Sequence, residues 1–78
     1  MGEIFVRNVN GDTRAVEVEG SQNIASVKLQ IRDIWVIEAE EQRLIYNGRK
    51  LDDTRTLNYY GIRPLDTLHL VLVPRRRN

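Results

Sequence analysis

The chain has 78 residues, 12 of them basic and 11 acidic, with a formal net charge of +1 and no cysteine. This length supports a single small domain, and the missing cysteines exclude disulfide bridges and thiolate metal sites. The balanced charge argues against a nucleic-acid partner, which requires many phosphate contacts, and no apolar run approaches the roughly 20 residues that span a bilayer.

The first half of the chain predicts a β-hairpin followed by one helix. Residues 4–9 alternate apolar and polar side chains, which is typical of a strand, and the Asn10-Gly11 pair after them favours a hairpin turn. Residues 14–19 alternate in the same way and form the predicted return strand. Apolar residues then recur at helical spacing over residues 24–34, so we expect an amphipathic helix whose apolar stripe covers one sheet face.

The second half predicts three more strands. Residues 42–46 form the third strand, and Asn47-Gly48 marks a second tight turn. Residues 50–51 give a short fourth strand and residues 67–73 the last and most apolar one, with a compact turn region at residues 57–62 between them. The order β-β-α-β-β-β, with a single helix on one sheet face, predicts an α+β architecture.

Alternation in the third and last strands predicts an exposed patch of side chains. The predicted core residues of these strands are Leu44, Leu68, Leu70 and Leu72. The intervening side chains point away from the core, and these are Arg43, Ile45, His69 and Val71. Two exposed apolar side chains rimmed by Arg43 and Arg49 make a candidate docking site for a protein. Single exposed apolar residues are also ordinary on protein surfaces, so alternation alone leaves both interpretations open.

From residue 4 to residue 72 these segments resemble the ubiquitin family in order and spacing. The motifs that carry the resemblance are Ile4-Phe5-Val6, Gln42-Arg43-Leu44-Ile45-Tyr46, Arg55-Thr56-Leu57 and Thr67-Leu68-His69-Leu70-Val71-Leu72. Each motif is weak alone, and their common order makes them specific. The resemblance implies the β-grasp fold, in which a mixed sheet packs on one α-helix.

The resemblance also implies a function for the exposed patch. In ubiquitin the matching positions, together with that of Val9, form the main recognition surface. The expected partner-binding residues are therefore Val9, Arg43, Ile45, Arg49, His69 and Val71. The expected partners are proteins with ubiquitin-binding helices or proteasomal receptors, and neither nucleic acid nor membranes. The expected domain is monomeric, lies in the cytoplasm or nucleus and uses no cofactor.

Catalysis and metal binding are not expected. His69 is the only histidine, and neither a second histidine, a plausible nucleophile nor a Gly-rich phosphate loop accompanies it. An active site or metal site needs several convergent groups. We therefore expect that the protein is not an enzyme and that it has no catalytic residue and no metal ligand.

Two residues of the predicted helix each have two interpretations. By resemblance, Asp53 is the partner of Lys28 in a structural ion pair, and the alternative role of Lys28 is that of an acceptor lysine. Trp35, at the end of the helix, either covers the edge of the core or anchors a partner protein. We favour the structural interpretation for both residues.

The last residues depart from the family. Conjugated members end in Gly-Gly, whereas the matching positions hold Arg76 and Arg77, and Val73 replaces an arginine used by the activating enzyme. We therefore expect a non-conjugated domain over residues 1–73 and a flexible basic tail or linker over residues 74–78, within a larger protein. Three alternatives stay open: a covalent modifier activated by another route, a localisation or nucleic-acid element in the arginine run, and a divergent domain kept for folding alone.

Overall fold

The structure consists of one five-stranded sheet and one α-helix. It is a computed structural model and describes residues 2–74. In chain order the elements are β1 (Gly2–Arg7), β2 (Thr13–Val18), α1 (Ile24–Trp35), β3 (Gln42–Tyr46), β4 (Arg49–Lys50) and β5 (Thr67–Leu72). Two 3₁₀ turns, Ala39–Glu41 and Asn58–Tyr60, lie in the connections. The predicted tail lies outside the described residues, apart from Pro74.

The sheet is mixed, with strand order β2-β1-β5-β3-β4. β1 and β5 are central and parallel, whereas the pairs β1–β2, β3–β5 and β3–β4 are antiparallel. Parallel neighbours cannot be joined by a tight turn, and the chain between β1 and β5 includes α1, which packs on one face of the sheet. The predicted α+β architecture of the β-grasp type is confirmed.

One core lies between α1 and the covered face of the sheet. Its residues are at most 4% exposed, and they are Ile4, Val6, Val16, Val18, Ile24, Val27, Ile31, Leu44, Leu51, Leu57, Ile62, Leu68 and Leu70. Alternate strand residues and one helix stripe supply most of this set, because a strand repeats every two residues and a helix every 3.6. Trp35 is half-buried and packs against this core, in agreement with its structural interpretation.

Local hydrogen bonds fix both ends of α1. The side-chain oxygen of Asn23 accepts a hydrogen bond from the Ser26 backbone N–H at 2.9 Å, which satisfies one of the free donors of the first turn. At the other end Val36 adopts a left-handed conformation with φ 56°, and its N–H donates to the Arg32 carbonyl at 2.8 Å. The helix therefore ends at Trp35, one residue beyond the predicted end.

The first strand ends two residues earlier than predicted. The Asn8 side-chain oxygen accepts hydrogen bonds from the backbone N–H groups of Asn10 and Asp12, both at 3.0 Å. This side chain starts the turn at residue 8, because asparagine competes for backbone donors that a strand would otherwise use. The turn leaves Val9 outside β1.

The prediction that Leu72 faces the core is wrong. Leu72 is 50% exposed, and its partner across the sheet is Gln42 on β3. The Gln42 side chain is buried, and its Nε2 donates to the carbonyl oxygens of Lys28 at 2.9 Å and Ile37 at 3.0 Å. A polar side chain therefore lies beneath the end of the helix, and the apolar core stops at Leu70.

Candidate protein-docking surface

The sheet face that turns away from α1 carries the predicted patch. Because Leu44 and Leu70 are buried against the helix, the alternate residues of β3 and β5 lie on the opposite face. His69 and Arg43 are exposed there, whereas Ile45 and Val71, which were predicted to be exposed, are half-buried.

Cross-strand pairing brings four of the predicted residues together. Arg43 of β3 is the register partner of Val71 on β5, and Ile45 is the partner of His69. Directly paired residues on one face have their Cβ atoms about 5 Å apart. These four side chains therefore form one contiguous area with apolar and basic character.

Val9 lies apart from this strand pairing, in the turn between β1 and β2. It is 67% exposed and lines a groove of about 260 Å³ together with Trp35, Leu70 and Leu72. The groove lies beside the end of β5, which contributes Leu70 and Leu72 to its lining. Val9 therefore shares this groove with Trp35, Leu70 and Leu72, and its place beside Ile45 and Val71 stays a prediction.

β4 consists of Arg49 and Lys50, so it begins one residue earlier than the predicted residues 50–51. Arg49 pairs with Tyr46, and its guanidinium carbon lies 5.5 Å from the centre of the Tyr60 ring. Lys50 instead pairs with Ile45 and so shares the face of the docking residues. The place of Arg49 in a docking surface stays a prediction, and Lys50 is a rim residue that the sequence reasoning missed.

A signal for Lys50 was present in the sequence. Asn47-Gly48 is a two-residue hairpin turn in which both residues have positive φ, 53° and 75°. Such a turn fixes the register of its strands and pairs Tyr46 with Arg49, and Ile45 with Lys50. Applying this rule to the turn identifies Lys50 as the cation beside Ile45.

The outer sheet face is segregated by charge. Arg7 of β1 pairs with His69, so one row of neighbours across the sheet contains Arg7, His69, Ile45 and Lys50. Glu3 and Glu17 pair with each other at the opposite end of β1 and β2. The patch around Ile45 therefore has basic neighbours, which suits a partner with acidic side chains at the rim of an apolar contact.

Lys28 and Asp53 form a close ion pair in a concavity that Arg43 and Lys50 also line. The Lys28 Nζ lies 2.7 Å from the Asp53 Oδ1, and the two side chains are 10% and 55% exposed. The same loop bonds to the start of α1, since the Ile24 N–H donates to the Arg55 carbonyl at 2.9 Å and the Ala25 N–H to the Asp53 carbonyl at 3.2 Å. The pair therefore joins the helix to the loop after β4.

A second polar contact supports the end of β3. The Tyr46 hydroxyl donates to the Asp66 Oδ2 at 2.7 Å, and the Arg63 backbone N–H donates to the same oxygen at 2.9 Å. The hydrogen bond from the Arg63 N–H, followed by that from Tyr46, lowers the pKa of Asp66, and the bond to Asp66 raises the pKa of Tyr46. This contact was not expected from the sequence, because its residues lie 20 positions apart and follow no periodic pattern.

No metal site or membrane helix is found in residues 2–74. Histidine and acidic residues in this part of the chain form no group of three that could hold a metal ion. None of the helices described there has both the length and the apolar character required to cross a bilayer.

Comparisons with known proteins agree with the observed fold. The sequence profile of the ubiquitin family matches residues 4–75. Ubiquitin domain-containing protein DSK2b of Arabidopsis thaliana is 35% identical over 68 residues, covering 87% of this chain and 12% of that protein. Ubiquitin-like protein 4A of Anoplopoma fimbria is 33% identical over 71 residues, covering 91% of this chain and 46% of that protein. The 2'-5'-oligoadenylate synthase-like protein 1 of Rattus norvegicus is 31% identical over 74 residues, covering 95% of this chain and 14% of that protein.

The alignments therefore cover most of this chain but less than half the length of each of these relatives. The matched profile extends from β1 through β5, the same range over which the β-grasp elements are found. The chain belongs to the ubiquitin family and is a ubiquitin-like domain homologous to domains of larger proteins.

Proposed function

We propose that this domain is a protein-interaction module that docks through the outer sheet face onto helices of ubiquitin-binding proteins or onto receptors of the proteasome pathway. The docking surface is defined as Val9, Arg43, Ile45, Arg49, His69 and Val71. The observation that carries the proposal is the pairing of Ile45 with His69 and of Arg43 with Val71, which makes a contiguous apolar and basic area.

The proposed mechanism is burial of a small apolar area with charged contacts at its rim. Ile45 and Val71 would lose their remaining exposure against the apolar stripe of a partner helix, and Arg43 would pair with acidic residues beside that stripe. A surface of this size gives weak and transient complexes, because stable interfaces bury about 1,600 Å² in total.

The proposal includes the setting in which the domain works. We infer a non-conjugated domain within a larger protein of the cytoplasm or nucleus, acting by binding and not by catalysis. Membership of the ubiquitin family and the small share of each relative that the chain covers support the part of this inference that concerns a domain within a larger protein.

The docking surface can be tested by nuclear magnetic resonance. We expect titration of the ¹⁵N-labelled domain with a ubiquitin-interacting helix, and separately with a ubiquitin-associated domain, to shift the amide signals of Ile45, His69 and Val71. Shifts confined to Phe5 or to the surroundings of Trp35 would place the contact elsewhere. Absence of binding to both partners would contradict the proposed function.

The alternative function, covalent modification of other proteins, has its own test. Activation in the family uses a terminal Gly-Gly and a recognition arginine, and the matching positions here hold Arg76, Arg77 and Val73. We expect no thioester when the chain is incubated with ubiquitin-activating enzyme and ATP, while ubiquitin in a parallel reaction is charged. An ATP-dependent adduct that a thiol reductant removes would support the modifier instead.

A further inference from the structure

The chain contains two lysines, Lys28 and Lys50, and they differ in burial: Lys28 is buried in an ion pair with Asp53, whereas Lys50 is exposed. We propose that Lys50 is the acceptor amine of this chain for acyl transfer from a small thioester, and that acylation of Lys50 weakens docking through the surface beside it. The first part depends on lysine accessibility alone. The second part rests on the proposed docking function.

Lys28 is held in a way that opposes acylation. Its Nζ donates to the Asp53 Oδ1 at 2.7 Å, and its side chain is 10% exposed. An acyl donor needs an unprotonated amine with an open line of approach. Reaction at Lys28 would break the ion pair and leave Asp53 without its cation, so it requires a local opening of the contact between α1 and the loop.

Lys50 is open to a reagent from the solvent side. It is exposed, and it lies on β4, the two-residue strand at one edge of the sheet. It also lines a concavity of about 550 Å³, whose lining is mostly charged or polar, includes Lys28 and Asp53, and has Ala39, Leu51 and Val73 as its apolar part. A short acyl chain attached to the Lys50 amine therefore has space beside it.

The step is an ordinary acyl transfer. The neutral Lys50 amine attacks the thioester carbonyl carbon, a C–N bond forms, and the C–S bond breaks. The thiolate leaves and takes up the proton that the nitrogen loses, so the products are a secondary amide and a thiol. The reaction replaces an ammonium group by a neutral amide and adds the acyl group.

The position of Lys50 connects this modification to docking. Lys50 is the register partner of Ile45, so the two side chains are neighbours on the outer face. Acylation would remove one of the cations beside Ile45 and leave Arg7 and Arg43, and it would add bulk at the rim of the apolar contact. Both changes oppose a partner helix whose rim is acidic.

The accessibility half is tested by peptide mapping of the 78-residue chain after exposure to a small acetyl thioester. We expect Lys50 to be acetylated at least about tenfold faster than Lys28, because reaction at Lys28 requires local opening. In denaturant the two rates should become similar. In Asp53→Asn the rate at Lys28 should rise while that at Lys50 stays the same. Equal rates in the folded wild type, or faster reaction at Lys28, would overturn the proposal.

The docking half is tested with the acetylated chain and the same ubiquitin-interacting helix. We expect acetylation of Lys50 to weaken binding about three- to fivefold, the effect of losing one exposed ion pair. Lys50→Arg is the matched control, because it keeps the charge and shares any reaction at the terminal amine. Treatment with the acetyl thioester should leave its affinity equal to that of untreated Lys50→Arg.

The outcomes separate the two proposals. If the untreated chain binds and the acetylated wild type binds equally well, control of docking by Lys50 is wrong and the docking function stands. If the untreated chain does not bind, the docking function fails and control of docking by Lys50 fails with it. The relative rates at the two lysines are measured without any partner and decide the accessibility half in either case.

Discussion

The surroundings of Ile45 predict that its substitution affects binding affinity more than the stability of the fold. It is half-buried on the sheet face opposite α1 and does not belong to the buried core. We expect Ile45→Ala to weaken binding of the ubiquitin-interacting helix by about tenfold or more, since an interface anchor can contribute over ~2 kcal/mol. Its free energy of unfolding should fall by less than the ~2–5 kcal/mol of a core truncation, because Ile45 lies outside the buried core.

A matched control for Ile45→Ala is available on the helix. Leu29 of α1 is 47% exposed and lies outside the docking surface, so Leu29→Ala removes a similar apolar side chain. We expect this variant to bind with wild-type affinity. Equal losses of affinity in the two variants, or a large loss of stability in Ile45→Ala, would contradict the assigned role of Ile45.

Leu68 and Leu72 of β5 are a second pair whose surroundings predict different effects. Leu68 is fully buried, whereas Leu72 is 50% exposed. We expect Leu68→Ala to lower the free energy of unfolding by about 2–5 kcal/mol, which is most of the stability of a domain this small. Leu72→Ala should cost less than about 1 kcal/mol. Urea unfolding of both variants is the measurement, and equal effects would show that the core does not stop at Leu70.

The contact between β3 and the loop before β5 predicts a dependence of stability on pH. In the folded protein the pKa of Asp66 lies below its ordinary value of 3.8, owing first to the Arg63 N–H and then to the Tyr46 hydroxyl. A carboxylate with a lowered folded-state pKa stabilises the fold fully above its unfolded-state pKa. That contribution is lost as the pH falls through the lower, folded-state pKa.

The corresponding experiment compares the wild type with Asp66→Asn in urea at a series of pH values. We expect the difference in free energy of unfolding to be constant above about pH 5 and to shrink below about pH 4, where the unfolded carboxylate becomes protonated. Tyr46→Phe removes the hydroxyl that bonds to Asp66 and keeps the bond from the Arg63 N–H. It should therefore reduce the pH-dependent part of the free energy of unfolding without abolishing it. A wild-type advantage that stays unchanged down to about pH 2 would show that Asp66 does not titrate with a lowered pKa.

Periodicity predicted the strands and the helix well because the buried positions follow the geometry of each element. Residues 42–46 and the start of the helix at residue 24 were predicted with their observed bounds. Alternation could not locate Leu72, since a strand keeps its period beyond the area that the helix covers, and a buried Gln42 ends the core there.

The candidate site was predictable where it depends on strand alternation and less so where it depends on register. Alternation predicts that Ile45 and His69 share a face, and the register adds that they are direct partners. The sequence alone does not show that Arg7 and Lys50 belong to the same row of neighbours. That requires the register between β1 and β5, which pairs Arg7 with His69, and the register between β3 and β4, which pairs Ile45 with Lys50. The Tyr46–Asp66 contact depends on a loop conformation that no local pattern describes.

At the scale of the whole molecule, charge is distributed unevenly although the net charge is only +1. Basic side chains surround Ile45 on the outer face, whereas Glu3 and Glu17 lie together at the far end of β1 and β2. A local field of this kind acts on association with an acidic partner, and salt screens it.

Reversal of one charge tests this distribution. We expect Arg43→Glu to weaken binding of an acidic ubiquitin-interacting helix, with a larger loss at low than at high salt, because Arg43 pairs with Val71 at the rim of the apolar area. Arg14→Glu on β2 is the matched control, since it changes the net charge by the same amount. β2 lies three strand positions from β3, about 14 Å at the usual strand spacing, which exceeds the screening length of about 10 Å at 0.1 M salt. At that salt concentration Arg14→Glu should therefore bind nearly as the wild type does. If the two variants lose affinity equally at every salt concentration, net charge and not the surface beside Ile45 governs binding.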